Sequence, residues 1–114
     1  MSSLASNLRW MFLLCLAVVG LGMSREHPVY LPRSLKCKVL VVDPKWHFVV
    51  LNVGEDQGVL ESGELLINRH GRLIAKVRVV SVKKERCVAD LMPGWQLGDV
   101  LEGDSAIPAH PSSS

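Results

Sequence analysis

The chain has 114 residues, enough for one small domain, with 48% hydrophobic residues and a net charge of +2 with histidines neutral. So weak a positive balance excludes a strongly basic nucleic-acid or anionic-membrane binder as the default reading. The three cysteines, Cys15, Cys37 and Cys87, form no C-x-x-C pair, which removes support for a zinc or thioredoxin-like site.

The first element is the charge-free run WMFLLCLAVVGLGM, Trp10 to Met23, behind Arg9. As a helix of about 14 residues it is roughly 21 Å long, short for a hydrocarbon core of about 30 Å. A short apolar stretch behind one basic residue, ending in small residues, has the grammar of a signal peptide, with Gly20-Leu21-Gly22 and Gly22-Met23-Ser24 as small-x-small cleavage sites. The ranking is a cleaved signal first, an uncleaved hydrophobic-helix anchor second and a cytosolic core helix third. Arg25, Arg33, Lys36 and Lys38 follow the run and, by the positive-inside rule, resist export. Leu13-Leu14 before Cys15 departs from the lipoprotein pattern, which wants a small residue there. Residues 1–24 are therefore assigned to a signal peptide or membrane anchor.

Residues 25–34 contain Pro28 and Pro32, which exclude a continuous helix and suggest a linker. A β-barrel domain is expected over 35–104. In Leu35 to Val42, Lys36 and Lys38 point one way and Cys37, Val39 and Val41 the other. Asp43-Pro44 signals a turn, and Trp46 to Val53 is rich in β-branched and aromatic residues, as a second strand should be. Gly54, Gly58 and Gly63 punctuate a loop before a third strand, Glu64 to Arg69. His70-Gly71 is expected to be a two-residue hairpin turn, with Gly71 at positive φ. Arg72 to Val82 makes a long fourth strand, with Lys76 and Arg78 outward and Ala75, Val77 and Val79 inward. Lys83-Lys84-Glu85 turns into Arg86 to Met92, where Cys87, Ala89 and Leu91 face inward. Pro93-Gly94 ends that strand, and Gly98 to Glu102 is expected to close the sheet. Residues 105–114, polar and proline-containing, are expected to be a disordered tail. Six short strands with glycine-rich turns predict an all-β fold, a small closed or partly open barrel.

Candidate chemistry is sparse. The Gly58-to-Gly63 spacing lacks the Lys-Ser/Thr ending and following helix of a phosphate loop, so Gly54, Gly58, Gly63 and Gly71 are assigned structural roles. The spacing of His27, His47, His70 and His110 suggests no metal site. Cys37 and Cys87 both project inward by strand parity and are expected as small buried residues, with a disulfide open if their strands are neighbours. The acidic pairs Glu55-Asp56 and Asp99-Glu102 sit in turns, where carboxylates mostly solvate. The basic knot Lys83, Lys84 and Arg86 has no aromatic near it in sequence, which disfavours nucleic acid. Trp46 and Trp95 each follow a proline turn. They are candidate partner-binding anchors, set against the simpler role of capping a narrow barrel. No catalytic residue, metal or cofactor is assigned.

The run G-x-x-x-G-V-x-x-x-G-x-L-x-I-x-R-x-G-x-x-x-A-K-V-x-V from Gly54 to Val79, followed by V-A-x-L and G-D, resembles small β-barrel modules of bacterial envelope proteins. It is similar in style to the C-terminal module of flagellar assembly protein T and to the barrels of the rod-shape protein MreC. The resemblance covers about Cys37 to Asp104 and implies a non-enzymatic scaffold exported and held near a membrane, periplasmic or anchored with the barrel outside the cytoplasm. Its partner would be an envelope protein, with the membrane reached through the N-terminal segment if that stays uncleaved. In place of the coiled coil that often separates anchor and barrel in such proteins stands a linker of about eleven residues. The alternative is a small ligand-binding domain or enzyme, for which polar groups converging in a concave pocket would speak.

Overall fold

The computed structural model describes residues 27–112; the expected N-terminal signal or anchor helix lies outside them. Six strands follow in order: β1 (Cys37–Asp43), β2 (Phe48–Leu51), β3 (Glu64–Arg69), β4 (Arg72–Val82), β5 (Cys87–Leu91) and β6 (Ser105–Pro108). They form a closed antiparallel barrel with the cyclic neighbour order β1-β2-β5-β4-β3-β6. Closure suits so short a chain, because it pairs the edges that an open sheet of this size would expose.

The alternation read from the sequence produces the core. Cys37, Val39, Val49, Leu51, Leu65, Ile67, Ala75, Val77, Val79, Cys87, Ala89 and Ala106 are all buried in one cluster. Val41, expected inward, is instead exposed. A bulge between Val39 and Val41 places Leu40 as an extra residue, so the parity of β1 inverts beyond it.

His70 and Gly71 form the expected two-residue turn, at φ 54° and 75°, and Arg69 pairs with Arg72 across it. Positive φ at both central residues gives the turn the twist of the strands it joins. Gly54 is needed for another reason. A Cβ there would run into the Lys83 carbonyl and the Arg86 amide, because the loop after β2 lies directly on the β4–β5 turn. Glu55 and Asp56 donate their backbone N–H groups to the Lys83 and Lys84 carbonyls at 2.8 and 2.9 Å, which fixes that contact. Gly58 and Gly63 lie against Pro32 and Leu31.

Several boundaries differ from the sequence reading. Gly98–Glu102 is not a strand; β6 is Ser105–Pro108, inside the residues assigned to a disordered tail. It pairs with β1 through Cys37–Ala106 and with β3 through four residue pairs, so it closes the barrel. The part of the expected linker that is described, residues 27–34, is likewise no free segment. Leu31 is fully buried, its N–H donates to the His110 carbonyl at 3.1 Å, and its carbonyl accepts from Ser112 at 2.8 Å. Strands Trp46–Val53 and Arg86–Met92 shorten to Phe48–Leu51 and Cys87–Leu91.

Candidate functional site

Strand direction gives the barrel two distinct ends. The β1–β2 turn, the His70-Gly71 turn and the segment from Met92 to Asp104 lie at one end, since Phe48 pairs with Asp90 and Asn68 with Ser105. The Gly54–Gly63 loop, the β4–β5 turn and the Leu31–Pro111 bridge lie at the other. The described chain thus begins at the end opposite the β1–β2 turn.

Both candidate tryptophans fall at the first end. Trp46 is 69% exposed and Trp95 48%, so neither is a plug for the barrel. The turn that holds Trp46 is built by Asp43, whose Oδ1 accepts from the Lys45 and Trp46 backbone N–H groups at 3.0 Å each. Trp95 is fixed by its backbone, which accepts from Lys76 N–H and donates to the Met92 carbonyl, both at 3.2 Å. Lys76 Nζ sits 4.6 Å from the centre of the Trp95 ring, a cation–π distance. Arg78, two residues along the same face of β4, lines a groove of about 390 Å³ with Trp46, Val80, Met92 and Pro93. The two indoles therefore flank adjacent cations on one face.

The two cations share one partner, Glu64. Its carboxylate meets Lys76 Nζ at 2.9 Å, Arg78 at 2.9 Å and His110 Nε2 at 3.6 Å. Burial pushes the Glu64 carboxyl up, but hydrogen bonds and charge from Lys76 and Arg78 outweigh it and hold the group below its ordinary value. The sequence marked Lys76 and Arg78 only as solvent-facing; their shared partner on β3 follows from register, with Glu64 opposite Arg78.

A second cleft of about 560 Å³ opens at the same end, floored by Val42, Leu91 and Val100 and edged by His47, Asp99 and Glu102. The Asp99-Glu102 pair thus does share a surface, whereas Glu55-Asp56 lies on a 3-10 turn at the far end. Asp104, given no role from sequence, is the one buried charged residue among those described. It accepts from Arg69 at 3.2 Å and from the Leu101 N–H at 2.9 Å, tying down the segment that leads into β6.

Cys37 and Cys87 are free and buried. β2 separates their strands, so the condition set for a disulfide is not met. Burial, with the charge of Cys87 adding to it, pushes the Cys37 thiol up to about 12; burial pushes the Cys87 thiol up to about 11. Neither is a nucleophile at neutral pH. The histidines are dispersed: His47 and His70 are in turns, His27 is exposed, and His110 is the one beside a carboxylate. Among the described residues no group of three His, Cys, Asp or Glu side chains is placed to hold a metal ion, and no helix is long and apolar enough to cross a membrane. The Lys83, Lys84 and Arg86 knot is exposed at the end away from both tryptophans.

In comparisons with known proteins, the chain matches no family model, no curated protein and no solved structure.

Proposed function

We propose that this chain is a non-enzymatic, exported or membrane-anchored β-barrel module that binds an envelope protein, and that Trp46 and Trp95 belong to its binding surface. The observation that carries the proposal is the exposure of both indoles at one end of a barrel whose interior is already filled. Large rigid aromatics at a protein surface cost solvation and return it when a partner covers them, which is why such residues concentrate binding energy. The N-terminal apolar run supports the location, since export or anchoring would place the barrel outside the cytoplasm. It would also set the orientation. The described chain begins at the end opposite the tryptophans, so an anchored barrel would present them away from the bilayer.

The test is affinity capture from the native membrane fraction with the full chain tagged at its C-terminus. Trp46→Ala, which leaves the barrel core untouched, is expected to lower capture of the specific partner at least about tenfold, as loss of a central aromatic anchor does. Equal capture by the variant and the parent would refute the assignment.

A further inference from the structure

The cleft beside the Trp46 groove has a character of its own. His47 and Leu91 line both, so the two depressions adjoin at the tryptophan end. The floor of the cleft is aliphatic: Val42, Leu91, Val100 and Leu101. Asp99 and Glu102 are the acids in its lining, which contains no lysine or arginine, and neither joins an ion pair among the described residues. The cleft is therefore an apolar trough with uncompensated negative charge.

One wall of the trough is an open strand edge. Along β2, His47 accepts from Leu91 on the β5 side, while Asn52 donates to Lys38 on the β1 side. Alternation along the ladder then turns Val49 toward β5, so its partner Val42 directs its own N–H and carbonyl away from β2 and into the cleft. β6 does not reach this far. It pairs with β1 at Cys37 and Lys38, and Val39 completes the contact through the Gly103 N–H and Asp104 carbonyl. Beyond Val42 the edge ends at Pro44, which has no N–H to offer. The trough can pair with a short extended segment but cannot template a long strand.

The geometry points to this cleft as the docking site for a short extended segment of a protein partner, carrying a large aliphatic or aromatic side chain next to a lysine or arginine. The apolar side chain lies on Val42, Leu91 and Val100, the cation meets Asp99 and Glu102, and the backbone bonds Val42. This rests on the reading of the barrel as a binding module and names the chemistry of what it binds.

Random heptapeptides displayed on phage, selected on the full-length chain held in neutral detergent micelles, test the inference. The expected consensus has a large apolar residue within two positions of Lys or Arg. The synthetic winner should shift the amide resonances of Val42 and Leu91 and bind more weakly as salt rises. Asp99→Asn combined with Glu102→Gln, both at exposed positions, should weaken it about tenfold while leaving the melting temperature unchanged. A consensus without a cation, no consensus, or undiminished affinity in the double variant overturns the proposal. Lysine amide competing as well as the peptide would assign the cleft to a small cation instead, and a dimer that dissociates in the double variant would assign it to a second copy of the chain. Partner capture separates this from the broader reading. Capture lost in Trp46→Ala but kept in the double variant sinks the cleft alone, whereas capture kept in both sinks the binding surface as a whole.

Discussion

Glu64 is where burial and charge oppose each other most directly at the level of single residues. Its carboxylate is only 15% exposed and is held ionised by Lys76 and Arg78. Because its pKa is lowered on folding, its contribution is fully present above the unfolded value of about 4.3 and is lost as pH falls through the folded one. Glu64→Gln should therefore cost about 1 kcal/mol at pH 7, and the difference from the parent should shrink in melts below about pH 4. A difference that stays constant with pH would contradict the ion-pair account. Gly71 offers a second check at this scale. Its φ of 75° sits where no neighbour lies within 4 Å of a would-be Cβ, so any penalty there is backbone alone. Gly71→Val should lose about 1 kcal/mol or more, while Gly71→Asn, which tolerates the left-handed region, should lose less. Equal melting temperatures for the two variants would speak against a left-handed turn. The thiols give a third. Cys37 and Cys87, with pKa values pushed up to about 12 and about 11, should resist maleimide at pH 7 until the chain is unfolded, as read by mass spectrometry of the peptides that contain them. Labelling of either in the folded chain would show that its strand opens.

At the scale of elements, the barrel depends on pieces that look dispensable. β6 has four residues and ends in Pro108, yet it bridges β1 and β3. Leu31, far from it in sequence, fills the space beside Gly63 and bonds the chain just after β6. A chain beginning at Ser34 should be less stable than one beginning at His27 by about 2–5 kcal/mol, the range for removing a buried leucine. Coincident denaturation curves would mean the Leu31 contacts contribute nothing. These same pieces were the ones the sequence concealed. β3, β4 and the turn between them were legible because a long alternating pattern and an Arg-His-Gly-Arg turn fix the pairing locally. Ser105–Pro108 carries too few residues to show alternation, and its partners Cys37 and Leu65 lie far back in the chain. Gly98–Glu102 looked more like a strand, but the bulge at Leu40 and the fixing of Asp104 by Arg69 and Leu101 carry the pairing past it. The tryptophans were legible as candidates because proline turns precede them. Their placement at one shared end, and the pairing of Glu64 with Lys76 and Arg78, depend on register and strand direction, which spacing alone does not encode.

For the whole molecule, the organising fact is that the barrel's two ends differ. One end is where the described chain begins and is sealed by Leu31, Val59 and the loop after β2. The other carries Trp46, Trp95, Leu97 and Leu101 in exposed positions, with two clefts between them. If Arg9 to Met23 directs export, fusing residues 1–32 to a reporter active only outside the cytoplasm should give signal, and a silent but expressed fusion would contradict that. The claim on which the account turns is that the tryptophan end is carried for contact and not for folding. The thermal melt of Trp46→Ala tests it most directly. The melting temperature should stay within about 4 °C of the parent, as for a surface residue, beside a far larger drop for Leu31→Ala. A loss in Trp46→Ala comparable to that of Leu31→Ala would show that the indole holds the barrel together and would contradict the account.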